Sequence, residues 1–346
     1  MILYEFDPLK DSRWERFLQR HPRASAFHSV AWLEALHRTY GYKPVVLSTS
    51  KSEEEIQSAI VFCEVESWLT GRRLVSLPFA DHCEPLVGSD DELQAMLLYL
   101  ENKRAEEGWK YVDVRPRNQH CFENTHFEKS EHFYFHVLDL GPKLEAMFNA
   151  FHKDSIQRKI RRAEREGVEH QEGRSELLLE KFYRLLLVTR RRHHLPPHPL
   201  DWFRNLRACM GDSLKIRIAS KDGRPIASIL TLSYKDSTIY KYGCSDEKFH
   251  NLGGMPLLLW AAIQDARNIG HREFDWGRSD WENSGLVSFK DKWGAARSEL
   301  TYLRFPGRIS LAARGGWRLH VAKRFFEWMP DRFLTAMGRL LYRHIG

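Results

Sequence analysis

HREFDWGRSDWENSGLVSFKDKWGAAR, from His271 to Arg297, is the stretch that decides the fold. Glu273 to Trp276 predicts a short strand with aromatics at Phe274 and Trp276, and Gly277 is expected to break it, as glycine commonly ends strands. The residues beyond Gly277 are too polar and aromatic for a plain connector: Arg278, Asp280, Trp281, Glu282, Asn283, Lys290, Lys292 and Trp293 crowd into one turn-rich segment. Loops at strand ends are where a rigid scaffold carries chemistry. The stretch therefore predicts a strand emptying into a site.

Upstream, Leu214 to Ala219, Ile226 to Tyr234 and Thr238 to Gly243 alternate with turns at Asp222-Gly223 and Lys235-Asp236, the pattern of an antiparallel meander. A helix is expected next, over Met255 to Ile269. Before the meander, Phe148 to Glu166 predicts a basic helix stopped by Gly167, and Leu177 to Arg192 another helix. The first 142 residues alternate helices (Leu9 to Gln19, Val30 to Tyr40 capped by Ser29, Asp91 to Glu107) with strands (Pro44 to Ser48, Ala59 to Glu66, Arg73 to Leu77, Tyr111 to Val114), which argues for a mixed α/β sheet.

The chain has 346 residues, more than one hydrophobic core usually serves, so two domains are expected. Their expected ranges are 1–142 and 143–306, with a tail over 307–346. The apolar and charged fractions, 42% and 29%, are those of a globular protein, and no apolar run approaches a membrane span. The N-terminus lacks the basic start and small-residue cleavage site of a signal peptide, so a cytoplasmic address is expected. Cys63, Cys83, Cys121, Cys209 and Cys244 are scattered and predict free thiols, with neither a disulfide framework nor a zinc site. The net charge of +7 is concentrated: from Gly307 onward eight Lys or Arg face two acids, +6 in all, which leaves +1 for the rest. A nearly neutral body with a basic tail excludes a globally basic nucleic-acid binder.

Phe274-Asp275-Trp276-Gly277-Arg278-Ser279, Gly285-Leu286, Phe289-Lys290 and Trp293-Gly294-Ala295 together resemble the second-domain signature of FemAB-like acyltransferases. These are tandem GNAT-fold proteins whose best-known members add amino acids from aminoacyl-tRNA to lipid-linked peptidoglycan precursors. The resemblance implies an α/β (α+β) fold of two tandem GNAT-like domains, mixed sheets flanked by helices, with a C-terminal amphipathic helical tail. It implies an N-acyltransferase moving an acyl or aminoacyl group to an amine of a cell-envelope or exopolysaccharide-related precursor. No cofactor is expected to be tightly bound; acyl-CoA or aminoacyl-tRNA is the donor co-substrate. The expected partners are an amine-bearing, lipid-linked acceptor and tRNA, with no DNA. An ordinary acyl-CoA-dependent N-acetyltransferase on a sugar or small amine, and a non-catalytic membrane-surface binding protein, remain as alternatives.

Both the residue pattern and the resemblance single out candidate residues. Acyl transfer to an amine requires a stabiliser for the developing oxyanion. Lys290, matching the family's Phe-Lys pair, is expected to supply it with Lys292 as fallback, and Lys290→Ala is expected to leave a folded protein with strongly reduced transfer. Asp275 either orients the incoming amine or accepts bonds from loop N–H groups. Arg158, Arg161, Arg162 and Arg165 recur at spacings that share a helix face, suited either to a polyanion or to solvent. Of these, Arg158 and Arg161 are the expected phosphate binders, because the family helix with a similar Ala163-Glu164-Arg165-Glu166-Gly167 ending contacts the acceptor's diphosphate; Gln157 stands where an arginine is expected.

The loop Leu77-Pro-Phe-Ala-Asp-His-Cys-Glu-Pro-Leu86, with Asp81 and Glu84, resembles the acceptor-binding side; the alternative is a rigid turn. Gly253 and Gly254 take the place of the loop that offers a helix N-terminus to a pyrophosphate, or form a plain turn. Tyr240 and Tyr242 are expected on one face, with Tyr242, Arg278 and Trp293 lining the substrate cleft. His193, His194 and His198 do not complete a metal-ligand set and are expected at a channel edge. Trp317, Val321, Phe325 and Trp328, then Phe333, Met337, Leu340 and Leu341, recur at helical spacing among arginines. That pattern suits either a membrane-surface helix or one docked on its own fold.

Overall fold

A computed structural model describes residues 2–51, 54–119, 122–307 and 331–345. The chain divides into two compact units. The first is built mainly from residues 1–133, rejoined by the chain from Leu300 and by its end from Arg339; the second comprises Tyr134–Glu299. The boundary at Phe133/Tyr134 stands against the expected 142/143. Residues from Leu300 return to the first unit because the strand they form pairs there.

The first unit contains β1 (Tyr4–Phe6), α1 (Arg13–Arg20), α2 (Val30–Tyr40), β2 (Lys43–Ser48), β3 (Ala59–Val65), β4 (Arg73–Val75), α3 (Asp90–Glu107) and β5 (Val112–Val114). The late strand β12 (Ala296–Phe305) joins it, pairing antiparallel with β5 at Leu303–Val114. β1 to β4 run antiparallel in order, and β4 and β5 are parallel. α2 begins where Ser29 was expected to cap it, the hydroxyl accepting from the Trp32 N–H, one of the orphan donors every helix start leaves. Leu93, Met96, Leu97 and Leu100 of α3 bury one stripe against Phe62, Leu74, Val112 and Val114.

The second unit contains the end of β6 (Glu128–Asp139), α4 (Leu144–Ala150), one π-helical turn (Lys153–Gln157), α5 (Arg158–Arg165), β7 (Glu169–Gly173), α6 (Glu176–Arg192), α7 (Leu200–Met210), β8 (Leu214–Lys221), β9 (Arg224–Tyr234), β10 (Ser237–Ser245), α8 (Gly254–Asn268), β11 (Glu273–Asp280) and α9 (Ser284–Asp291). The strand order from β6 is β11, β10, β9, β8, β7. β7 to β10 form an antiparallel meander, extended by β7 beyond the three strands expected, and β11 is parallel to β10. α5 and α8 cover one face, packing Ile160, Ala163, Leu258, Leu259, Ala262 and Ile263 on Ile229, Phe274 and Trp276. α6 and α7 cover the other, so β8 and β9 are buried almost throughout, as strands between two helical layers must be.

Two local expectations are corrected. The predicted basic helix over Phe148 to Glu166 is interrupted: α4 ends at Phe151, and Gln157 then turns inward, its amide donating to the carbonyls of Phe151 (2.8 Å) and Asn149 (3.3 Å). Gln157 is thus a brace between two helices. Gly277 does not end its strand; β11 continues to Asp280 with Gly277 at φ 67°, a left-handed conformation that glycine adopts without steric cost. Of the tail, residues 308–330 lie outside the described residues, as does Cys121. The remainder forms α10 (Asp331–Ile345).

His28 gives the first unit a pH dependence. Its ring is fully buried, with Nε2 2.9 Å from the Glu84 carbonyl and Nδ1 accepting from the Ser25 N–H. Burial drives its pKa from 6.5 down to about 4. Because the folded value is depressed, the neutral ring's stabilisation is fully present above pH 6.5 and is lost as pH falls through about 4. Urea denaturation is expected to show a loss of order 3 kcal/mol between pH 7 and 4 that His28→Gln diminishes; equal losses in both proteins remove His28 as the cause.

Candidate active site

β10 and β11 pair over only three positions, from Ser237–Glu273 to Ile239–Asp275, and then part. Both strands carry a reason for parting. β10 gains a residue against β9 between Tyr240 and Tyr242, a bulge that increases twist and reverses the side-chain alternation. β11 turns at Gly277, whose N–H donates to the Asp275 carboxylate at 2.6 Å. In a regular strand consecutive carbonyls point to opposite edges. At Gly277 and Arg278 both instead accept from one group, the Lys290 ammonium on α9, each at 2.9 Å.

The gap opens a cleft of 690 Å³. β10 contributes Tyr240, Gly243, Cys244 and Ser245; α9 and its N-terminal flank contribute Asn283, Leu286 and Phe289; the start of α8 contributes Gly254, Met255 and Pro256. Ile156, Ile226 and Ala227 supply apolar wall. Its charged lining is of one sign: Lys159, Arg192 and Lys292 face it, beside His193 and His250, and the lining includes neither Asp nor Glu. The first N–H groups of a helix have no partner within the helix and carry its positive dipole end, so the start of α8 adds to the same field.

Ser245, His250 and Arg192 form one hydrogen-bonded group at the cleft. The Ser245 hydroxyl lies 2.8 Å and the Arg192 guanidinium 3.3 Å from His250 Nε2. A guanidinium only donates, so Nε2 is the unprotonated nitrogen and accepts from the serine as well. Burial first, then Arg192 and Lys159, hold the His250 pKa below its ordinary 6.5, so the ring is neutral at pH 7. Thr189 fixes Ser245 from α6 through bonds to its N–H (2.9 Å) and carbonyl (3.1 Å). Burial raises the Tyr240 phenol well above its usual range, which keeps it a neutral donor.

Of the residues singled out in sequence, His193, Tyr240, Gly254 and the fallback Lys292 line this cleft. Gly253, at φ 76°, precedes Gly254; a β-carbon there would overlap the Lys159 carbonyl, so its role is to let α5 approach α8. Lys290 is buried, does not line the cleft, and ties α9 to β11. Asp275, also buried, holds the Gly277 turn, the second of the two roles foreseen for it. Trp293 is core, packed between Phe151 and Trp276. Arg278 is half-buried and contributes its carbonyl to Lys290.

Tyr242 is corrected outright: the bulge sends it to the opposite face from Tyr240, where its hydroxyl accepts from Trp202 Nε1 at 2.9 Å. Arg158 and Arg161 are exposed, the first paired with Asp154 at 2.9 Å and the second over the Phe148 ring. In the first unit, Glu84 accepts from the N–H groups of Arg117 and Asn118, and the Asp81 carbonyl accepts from Tyr302 at 2.7 Å. Those two brace the Leu77–Leu86 loop. Lys159, Arg192, Ser245 and His250 were not foreseen; they come from four separate segments, and only the placement of His193 at a channel edge hinted at this rim.

Residues 150–290, which hold every cleft residue but Lys292, match the family model described as acetyltransferase (GNAT) domain. Over 167 residues the chain is 23% identical to UDP-N-acetylmuramoylpentapeptide-lysine N(6)-alanyltransferase of Weissella viridescens. That match covers 47% of this chain and 45% of the enzyme, so the chain spans less than half the length of this curated relative. Among solved structures, FemX superposes with a TM-score of 0.69 at 13% identity, covering 87% of this chain and 97% of its own. The C-terminal domain of a putative lysylphosphatidylglycerol synthetase from Agrobacterium fabrum gives 0.59 at 13% identity, over 91% and 97%. A tandem GNAT protein from the clavulanic acid biosynthesis pathway gives 0.54 at 10%, over 89% and 100%. These likenesses show the fold to be the tandem-GNAT α/β architecture expected.

The tie through Lys290 predicts a stability defect. Lys290→Met removes two buried charge-assisted bonds and strands two carbonyls, a cost of about 2–3 kcal/mol, whereas Lys292→Met leaves the melting temperature within experimental scatter. Differential scanning calorimetry of both variants checks this; an unchanged Tm for Lys290→Met removes its structural role.

Proposed function

We propose that this chain, a GNAT-fold acyltransferase related to the FemX and FemAB proteins, transfers an acyl or aminoacyl group to an amine of a cell-envelope or exopolysaccharide-related precursor. The observation that carries the proposal is the cleft: an opening between parted strands, bordered by a helix start, three cations and no carboxylate. That lining suits a donor whose activated carbonyl is carried by a molecule that also bears phosphates, as in acyl-CoA and aminoacyl-tRNA. Beyond Ile239 β10 no longer pairs with β11, and an amide-bearing donor laid along that edge adds to it as a strand does.

We assign the reaction as a direct transfer. The acceptor's neutral amine attacks the donor carbonyl, a C–N bond forms, the thioester C–S or ester C–O bond breaks, and the amine's surplus proton departs. We assign that proton to His250, whose lowered pKa leaves it neutral and whose Nε2 accepts beside Ser245. To Lys292, which lines the cleft, we assign the offset of charge on the carbonyl oxygen. Lys290 and Asp275 act as positioning residues by holding the turn in β11. Similarity to an alanyltransferase of a muramoylpentapeptide and to FemX favours an aminoacyl-tRNA donor and a lipid-linked peptidoglycan-type acceptor, met at the inner face of the membrane. The matching acetyltransferase model favours the second reading, an acyl-CoA donor and a small amine or sugar acceptor.

Thermal-shift titration with acetyl-CoA and with alanyl-tRNA decides between them, because a ligand that binds the native state raises Tm by mass action. One of the two is expected to stabilise the protein, and Lys159→Ala combined with Arg192→Ala to weaken that binding by roughly ten- to a hundredfold, since each cation contributes about 1 kcal/mol or more to a phosphate contact. Stabilisation by neither donor, or full affinity in the double variant, overturns the assignment of the cleft.

A further inference from the structure

The first unit carries an apolar tip that its own core does not use. Trp68 is 81% exposed, the neighbouring Leu69 55%, and at the end of α10 Leu340 and Ile345 are 55% and 54% exposed. The turn that carries Trp68 and Leu69 and the end of α10 are bonded to each other. The Trp68 ring packs edge-on against His344 at 5.4 Å. The His344 carbonyl accepts from the Thr70 hydroxyl at 2.8 Å and from Arg73 at 2.7 Å. The turn itself is fixed, since the Ser67 hydroxyl accepts from the N–H groups of Leu69 and Thr70. α10 docks on the unit through its opposite side, with the Tyr342 ring against Phe79 and the Tyr342 carbonyl accepting from Tyr42.

Charge surrounds this tip. Lys43, Arg72 and Lys110 flank the turn, and Arg339 and Arg343 are exposed on the last turns of α10; Glu66 and Glu107 are the acids among them, paired with Lys43 and Arg72. With Glu64 opposite Lys43 counted as well, five basic side chains stand against three acids among these residues. A protruding Trp-Leu pair with two aliphatic side chains beside it, rimmed by long basic side chains, presents a convex apolar point without a groove. Indole rings settle at the lipid headgroup level, and lysine and arginine stems reach past apolar surface to phosphates.

We infer that Trp68, Leu69, Leu340 and Ile345 form a docking surface for an anionic lipid bilayer, inserted to headgroup depth and held by the surrounding cations. The inference is independent of which group is transferred, and its readout involves no donor or acceptor. It also unites the two alternatives for the end of the tail. α10 docks on its own fold by one face and offers the other outward.

The test is co-sedimentation of the full chain with vesicles of phosphatidylcholine alone and with added phosphatidylglycerol. Binding to the anionic vesicles is expected, reduced by added salt, and weakened about tenfold or more by Trp68→Ser with Leu69→Ser and by Leu340→Ser with Ile345→Ser. All four side chains are more than half exposed, so both variants are expected to keep the parent Tm. Failure of the parent chain to bind anionic vesicles, or unchanged binding in both double variants, overturns the inference. A concentration-dependent dimer in light scattering that the same substitutions abolish, without vesicle binding, assigns the surface to a second copy of the chain instead.

Discussion

The second unit depends on a sheet that is allowed to come apart at one place. Two neighbouring parallel strands ordinarily satisfy each other along their length, and separating them strands donors and acceptors where water does not freely reach. Here the separation is managed from both sides. The extra residue in β10 twists that strand, and in β11 the left-handed Gly277 brings two successive carbonyls to one ammonium. Lys290 takes up two carbonyls of β11 beyond the end of its pairing with β10. A buried ammonium is tolerated when strong hydrogen bonds offset its desolvation, and two of the three Lys290 N–H donors go to the Gly277 and Arg278 carbonyls.

The cleft's electrostatics are set by where the acids were placed. Elsewhere in the unit basic side chains have carboxylates: Arg217 lies against Glu172 and Asp265, Arg224 against Asp246, Arg207 against Glu176. Around the gap the pattern stops. Lys159, Arg192 and Lys292 line a concave wall whose other polar members are hydroxyls, an amide and two imidazoles of depressed pKa. Low-dielectric walls focus a field of one sign, which concentrates polyanions. Burial first, and then Arg192 and Lys159 of this wall, lower the His250 pKa, so the cleft's positive field and its neutral imidazole share a cause.

What the sequence disclosed was periodic or local. The meander, the helix after it and the Ser29 cap were legible because alternation, turn dipeptides and capping chemistry act within a few residues, and the signature around Phe274 to Ala295 pointed to the right fold. The site was legible only in part. Lys290, Asp275 and Trp293 stand out in sequence because their environment is demanding, yet the demand is structural: one ties carbonyls, one holds a turn, one fills core. Tyr242 was misplaced because a one-residue bulge inverts every later side chain, and nothing in Tyr240-Lys241-Tyr242 announces it. The rim of Arg192, Ser245, His250 and Lys159 comes from segments up to about ninety residues apart, joined only by tertiary packing.

The basic helix shows how backbone geometry sorts equivalent-looking charges. Arg158, Arg161 and Arg165 share an exposed face of α5, where water screens them and Asp154 or Phe148 occupies two of them. Lys159, one position away from Arg158, faces the cleft because α5 lies close against the start of α8, and that approach requires position 253 to lack a β-carbon. A cation count on the helix is therefore a poor guide to anion binding. One glycine on a different segment determines which of the charges lines the cleft, and with Gly254 next in the chain the helix start is brought to the same wall.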